Sequence, residues 1–171
     1  MIFHESGARS TELHRLKVKD VNLAKQEYKV LVMKGGQYHE EIKVIMRDVL
    51  LLWKEVISEA QSADDYVFSR CFSPGPEQIA ARQVSRKWNK YIKKRFSDER
   101  DMKITADFYA LKHLFLDKLD EMQYHVNTVP DNAAQRLASH TTNKVTNSVY
   151  LVNKKKRELE SLKKVTLLRS A

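Results

Sequence analysis

The chain has 171 residues, 42% of them apolar and 31% charged, which is enough hydrophobic surface for one real core and argues against a disordered tail. Thirty-one Lys and Arg against 22 Asp and Glu leave a net charge of +9, which points to a polyanionic partner, nucleic acid ahead of a membrane surface or a ribosome. The longest wholly apolar run, Val49 to Trp53, is far too short for a membrane span. The N-terminus lacks a signal pattern, Cys71 has no partner for a disulfide, and the six His residues show no paired zinc spacing. A cytoplasmic protein that needs no metal and no cofactor is expected.

In chain order, Lys17 to Asp20 and Glu27 to Met33 alternate as strands do. Met33-Lys34-Gly35-Gly36 then turns into a third run from Tyr38 to Ile45, giving a three-stranded antiparallel sheet with a Lys at its hairpin. From Asp48 the apolar period changes to 3.6. Val49, Leu52, Trp53, Val56, Ile57 and Ala60 form one stripe of a helix that stops before Asp64-Asp65. After a loop with Pro74-Gly75-Pro76, a helix is expected from Glu77 to Arg95. It gathers Arg82, Arg86, Lys90 and Lys93 on one side and Val84, Trp88, Tyr91 and Ile92 on the other. The basic side suits phosphate contact, although such a stripe can also be a solvated face.

Thr105 can cap a further helix with the core stripe Phe108, Leu111, Phe115, Leu119 and Met122, and with Tyr109 and Lys112 at its edge. Asp131 can cap a short helix ending near Ser139-His140. A last helical stretch carries Tyr150 ahead of Lys154-Lys155-Lys156-Arg157. With four Gly, three Pro and no repeats, the chain reads as one α+β domain over residues 1–171, mainly helical around a small sheet.

Five settings in this order resemble the tyrosine recombinase (phage integrase) family. Ser6-Gly7-Ala8-Arg9-Ser10-Thr11-Glu12-Leu13, followed by Leu16-Lys17-Val18-Lys19-Asp20-Val21, resembles the stretch around the first catalytic Arg. Lys34-Gly35-Gly36 resembles the hairpin Lys. Tyr109-Ala110-Leu111-Lys112-His113 looks like the His-x-x-Arg-His box, and Leu137-Ala138-Ser139-His140 like the Leu-x-Gly-His box. Tyr150 falls where the nucleophile should be. Tyr109 in place of His, Lys112 in place of Arg, Ser139 in place of Gly and one extra residue between His140 and Tyr150 depart from the usual pattern.

The resemblance implies transesterification at a DNA phosphodiester, with Tyr150 attacking phosphorus to leave a 3′-phosphotyrosyl link and a free 5′-hydroxyl. It gives Arg9 and Lys112 the task of supplying charge to the phosphate oxygens, with His140 as donor and Tyr109 as either a second donor or a packing residue. It makes Lys34 the acid for the departing oxygen. From the spacing itself, Glu12 one turn on is expected to orient Arg9, and the helix side carrying Arg82, Arg86, Lys90 and Lys93 is expected to contact double-stranded DNA. The resemblance also implies self-association on DNA as a tetramer, a bacterial or phage-encoded protein lying with the nucleoid, and a fragment whose N-terminal DNA-clasping domain and first catalytic-domain helix are missing.

Without the resemblance, Arg9 is a helix-end cation paired to Glu12, Lys34 a solvated turn residue, His140 a cap and Tyr150 a packing aromatic. Two other functions stay open on the sequence: a catalytically degenerate DNA-binding module of the same descent, and a basic RNA-binding protein.

Overall fold

The computed structural model describes residues 1–125 and 133–138, with side chains through residue 122 and from 133 to 138. It divides the chain into two units, Met1–Lys112 and His113–Ala171.

In the first unit a 3-10 turn, His4–Ser6, ends at Gly7 in the left-handed region (φ 60) and leads into helix α1, Ser10–His14. The strand expected at Lys17 to Asp20 does not form. Val18–Asp20 is a 3-10 turn, and the Val18 and Lys19 amides donate to the Asp65 and Ala63 carbonyls at 2.9 Å each. The backbone of this stretch is therefore engaged by the loop after the next helix, and the first strand shrinks to β1, Val21–Asn22.

β1 pairs antiparallel with β2, Glu27–Lys34, and β2 with β3, Gln37–Val44, in the order β1-β2-β3. The hairpin closes on Gly35 and Gly36, whose φ values of 57 and 80 are those a two-residue type I′ turn demands and L side chains resist. Two loop residues fix the register, Lys34 opposite Gln37 and Tyr28 opposite Lys43. Tyr28, Val30 and Val32 point inward. Leu31, Met33, Tyr38, Val44 and Ile42, the last 64% exposed, lie on the outer face.

A 3-10 turn, Arg47–Val49, precedes α2, Leu50–Ser58, where the stripe expected from Asp48 onward begins. Its Trp53 is buried against the Tyr28 ring (centroids 5.1 Å apart) and edge-on to Phe68 at 6.3 Å, within a core that includes Leu13, Leu16, Val32, Ile45, Val49 and Val67. Aromatic pairs of this geometry add about 0.5–1.5 kcal/mol beyond their buried area.

The helix expected from Glu77 starts at Ala81, because Ala80 is still extended (ψ 140) and its amide donates to the Gln83 side chain at 2.9 Å. It runs as α3, Ala81–Lys87, then as a π-helical segment, Trp88–Lys94, and then as α4, Arg95–Arg100. Asp101, left-handed at φ 50, ends it. The wider π turn shifts the faces of the helix beyond Trp88. Tyr91 consequently lies 52% exposed instead of on the packing side, while Val84 is buried and Trp88 and Ile92 are half-buried.

Thr105 caps nothing here. Its carbonyl accepts from the Lys93 ammonium at 3.0 Å, and α5, Ala110–His125, starts beyond Asp107, whose carboxylate accepts from the Tyr109 amide at 3.0 Å. Phe108 stacks on Phe3 at 4.2 Å and meets Trp88 edge-on at 5.8 Å.

In the second unit Phe115, Leu116 and Leu119 are buried, whereas Met122, expected in the same stripe, is exposed. The short α6 is Ala133–Leu137. Asp131, Ser139, His140, the last helical stretch and Tyr150 lie outside the described residues. Among the described residues no helix is long and apolar enough to cross a membrane.

Candidate functional site

Arg9 stands at the start of α1 in extended backbone (ψ 149), and Glu12 one turn on grips it twice. One carboxylate oxygen accepts from the Arg9 backbone amide and the other from its guanidinium, both at 2.8 Å. The first contact is half of a capping box and the second an i,i+3 ion pair, so one acid fixes both the main chain and the side chain of Arg9. The Glu12 side chain is 3% exposed and that of Arg9 33%, so the guanidinium reaches from a buried anchor to the surface.

Lys34 ends β2 beside the glycine turn, and its ammonium pairs with Glu41, two strand positions before Lys43 on β3. Register sends Glu41 and Lys43 to the inner face together with Val30 and Tyr28. Lys43 is thus 2% exposed, in electrostatic reach of Glu12, Glu41, Arg9 and Lys34. Burial depresses its ammonium to about 8, an effect that the two carboxylates partly offset. Tyr28, fully buried, donates its hydroxyl to the Ser6 carbonyl at 3.4 Å, and burial pushes that phenol well above its ordinary range.

Lys112 sits in the first turn of α5. It is 0% exposed, with its ammonium 5.9 Å from the centre of the half-buried Tyr109 ring. Burial lowers it to about 7; Glu12 works against that shift, and Arg9 and Lys43 add to it. The sequence places Lys112 at a helix edge, whereas the structure encloses it.

Four of the expected site residues, Arg9, Glu12, Lys34 and Lys112, therefore belong to one charge network, which Lys43 joins to both its halves. Tyr109 touches it through Lys112. His140 and Tyr150 fall outside the described residues. The spacing of apolar residues does not single out Glu41 and Lys43; the Lys34/Gly-Gly turn, which sets the register, is the signal that carries them. Arg9, Lys34, Lys43 and Lys112 against Glu12 and Glu41 make an arrangement with surplus positive charge, suited to an anion that gains charge as it reacts.

The low value of Lys112 has a consequence for stability. A lysine in the unfolded chain titrates near 10.5, so between about pH 7 and that value the unfolded state holds more protons on this group than the folded state does. Stability from this residue therefore rises with pH through that window. Lys112→Met removes the effect. Its stability relative to the parent is expected to be most favourable near about pH 6–7 and to decline toward about pH 10, as read from urea midpoints. A difference that stays constant across this range would contradict the depressed titration.

On the long helix, Arg82, Arg86 and Lys90 are exposed, but Lys93 is half-buried and committed to the Thr105 carbonyl, so the π segment removes it from the basic stripe. Two cations take its place beside the stripe. Lys87 lies over the Phe72 ring at 4.1 Å, and Arg70, paired to Glu77 at 3.4 Å, lines an open groove of about 300 Å³ with Gln83, Arg86, Lys87, Lys90 and Tyr91.

Among solved structures the chain is similar to the XerA recombinase, with 16% identity and a TM-score of 0.68 over 97% of this chain and 55% of that one. It is similar to the Tn1549 transposon integrase in complex with circular intermediate DNA, with 18% identity and a TM-score of 0.65 over 92% and 55%. It is also similar to the XerH site-specific recombinase bound to palindromic difH substrate, with 17% identity and a TM-score of 0.60 over 96% and 43%. The chain spans about half the length of these proteins or less. No curated protein matches it. The sequence pattern of the phage integrase family matches residues 1–157, most of the chain, and the fold agrees with it: the chain belongs to the phage integrase family of tyrosine recombinases.

Proposed function

We propose that the chain is the catalytic part of a recombinase or integrase that cuts and rejoins double-stranded DNA through a 3′-phosphotyrosyl intermediate. The observation that carries this reading is the Arg9–Glu12 grip within a network of four cations and two carboxylates. The Tyr150 oxygen, its own proton released to solvent, forms a bond to phosphorus as the bond to the 5′ oxygen breaks, and Lys34 gives that departing oxygen a proton. The ester keeps the bond energy, so the reverse attack by a 5′-hydroxyl reseals the strand. Arg9 offers a planar fork for two phosphate oxygens, Lys112 contributes positive charge, and His140 and Tyr109 supply hydrogen bonds. The protein works in the cytoplasm on nucleoid or mobile-element DNA and assembles as a tetramer on its target.

Incubation with a duplex nicked close to the cleavage position tests this, since loss of the short 5′-hydroxyl fragment traps the ester. A denaturant-stable adduct bearing the 3′ end is expected. Bound DNA without an adduct favours the catalytically degenerate binding module, a reading that the full enclosure of Lys112 also suits. Preference for RNA over duplex DNA would reject both.

Arg82, Arg86 and Lys90 lie against the duplex backbone in this proposal. Replacing the three with Gln is expected to flatten the slope of log affinity against log salt by up to about 0.9 for each phosphate ion pair removed, whereas Lys93→Gln alone leaves it unchanged. An unaltered slope in the triple variant returns the stripe to solvent.

A further inference from the structure

Arg9 and Lys34, the two cations proposed to act on the phosphate, each pair with a carboxylate. When Lys34 gives its proton to the departing oxygen it becomes a neutral amine and no longer compensates Glu41. That transfer takes the Lys34 charge away from Glu41, a carboxylate on the inner face of the sheet and 23% exposed. A carboxylate in such a place is costly when its charge is poorly compensated, and a second cation already in reach removes the cost. Lys43 is on the same face of the same strand, two residues along, and the fixed hairpin register keeps it there.

We propose that Lys43 is a positioning residue that takes over the charge of Glu41 when Lys34 turns to the DNA phosphate, and that steadies Glu12 while Arg9, still gripped by it, shares its charge with the phosphate. It touches neither substrate nor nucleophile, and the inference rests on the reading of Lys34 and Arg9 as phosphate-site residues. The groups facing it are Arg9 and Glu12 from α1, Lys34 and Tyr28 from β2, Glu41 from its own strand and Lys112 from α5. Burial is the main cause of its depressed ammonium, and the Arg9 and Lys34 charges add to that depression, so withdrawal of either charge acts to raise it.

Two measurements on the full chain test it. Lysines labelled with ¹³C at Cε are titrated by NMR with and without a nicked duplex, Lys43→Arg identifying the signal. The Lys43 midpoint is expected to rise by at least about one pH unit on DNA binding, and to rise less in Glu41→Gln. A midpoint that stays put overturns the inference, whether or not any adduct forms. If it rises but the parent chain makes no adduct, the catalytic reading fails and the handover stands as a feature of binding.

The second measurement is adduct formation. Lys43→Met is expected to remain folded and bind duplex within about twofold of the parent while forming adduct about 10–100 times more slowly. Lys43→Arg should restore much of the rate. Glu41→Gln added to Lys43→Met should also restore it, since the charge needing cover is then gone, giving a non-additive cycle. A parent-like rate in Lys43→Met, or strict additivity with Glu41→Gln, overturns the proposal. A lysine that only supports packing feels the phosphate charge too, but its midpoint then rises equally in the parent and in Glu41→Gln, and it gives no rescue.

Discussion

Tyr150→Phe is expected to abolish covalent adduct formation while leaving the fold and duplex affinity within about twofold of the parent. The substitution keeps the ring and removes one oxygen, so only a role of that oxygen in bond formation predicts total loss. A tyrosine that merely packs beside Val149 and Leu151 would lose at most a hydrogen bond, roughly 0.5–1.5 kcal/mol of stability, with chemistry intact. The check is the nicked-duplex trap run alongside an anisotropy titration. An adduct that persists in Tyr150→Phe removes Tyr150 from the mechanism and turns attention to Tyr109, which lies over Lys112 at the network's edge.

Arg9→Ala is expected to slow adduct formation by about 10²–10³-fold, the cost of deleting one preorganised donor to a developing oxyanion. Because Glu12 is nearly enclosed, the variant also leaves a buried carboxylate with less compensation, so a stability loss of a few kcal/mol accompanies it. Arg9→Ala with Glu12→Gln separates the two effects. Stability should recover while the rate does not, as measured by urea midpoints and single-turnover trapping. Recovery of both would make Arg9 a counter-ion for Glu12 and nothing more.

Much of the site is legible in the sequence because its key pairs are local. Arg9 and Glu12 are one helical turn apart, so spacing alone suggests their contact, and Lys34-Gly35-Gly36 specifies a tight hairpin through the conformational freedom of its glycines. The sheet's long strands are legible for the same reason. What escapes the sequence depends on register and tertiary context. The run from Tyr38 to Ile45 reads as a strand without showing which face is buried, and the two-residue turn places Lys43 opposite Tyr28 and sends Ile42 and Val44 out.

The strand expected at Lys17 to Asp20 gives way to a turn because a loop 45 residues on takes its amides, with Lys19 also pairing to Asp64. The helix from Ala81 onward follows α-helical spacing only as far as Lys87. The π segment then rotates Lys93 to the Thr105 carbonyl and Tyr91 to solvent, a change no period of 3.6 could anticipate. Lys112 reads as an edge residue, and only the packed structure reveals that it is enclosed and electrostatically tied to Arg9, Glu12 and Lys43.

The most direct measurement is to form the adduct on a nicked duplex, digest it with protease and nuclease, and identify by mass spectrometry the residue that carries the nucleotide. The account predicts a 3′-phosphoryl nucleotide esterified to the Tyr150 oxygen, with the released strand bearing a free 5′-hydroxyl. A nucleotide on Tyr109 or any other residue, or a cut strand with no protein attached, would contradict it.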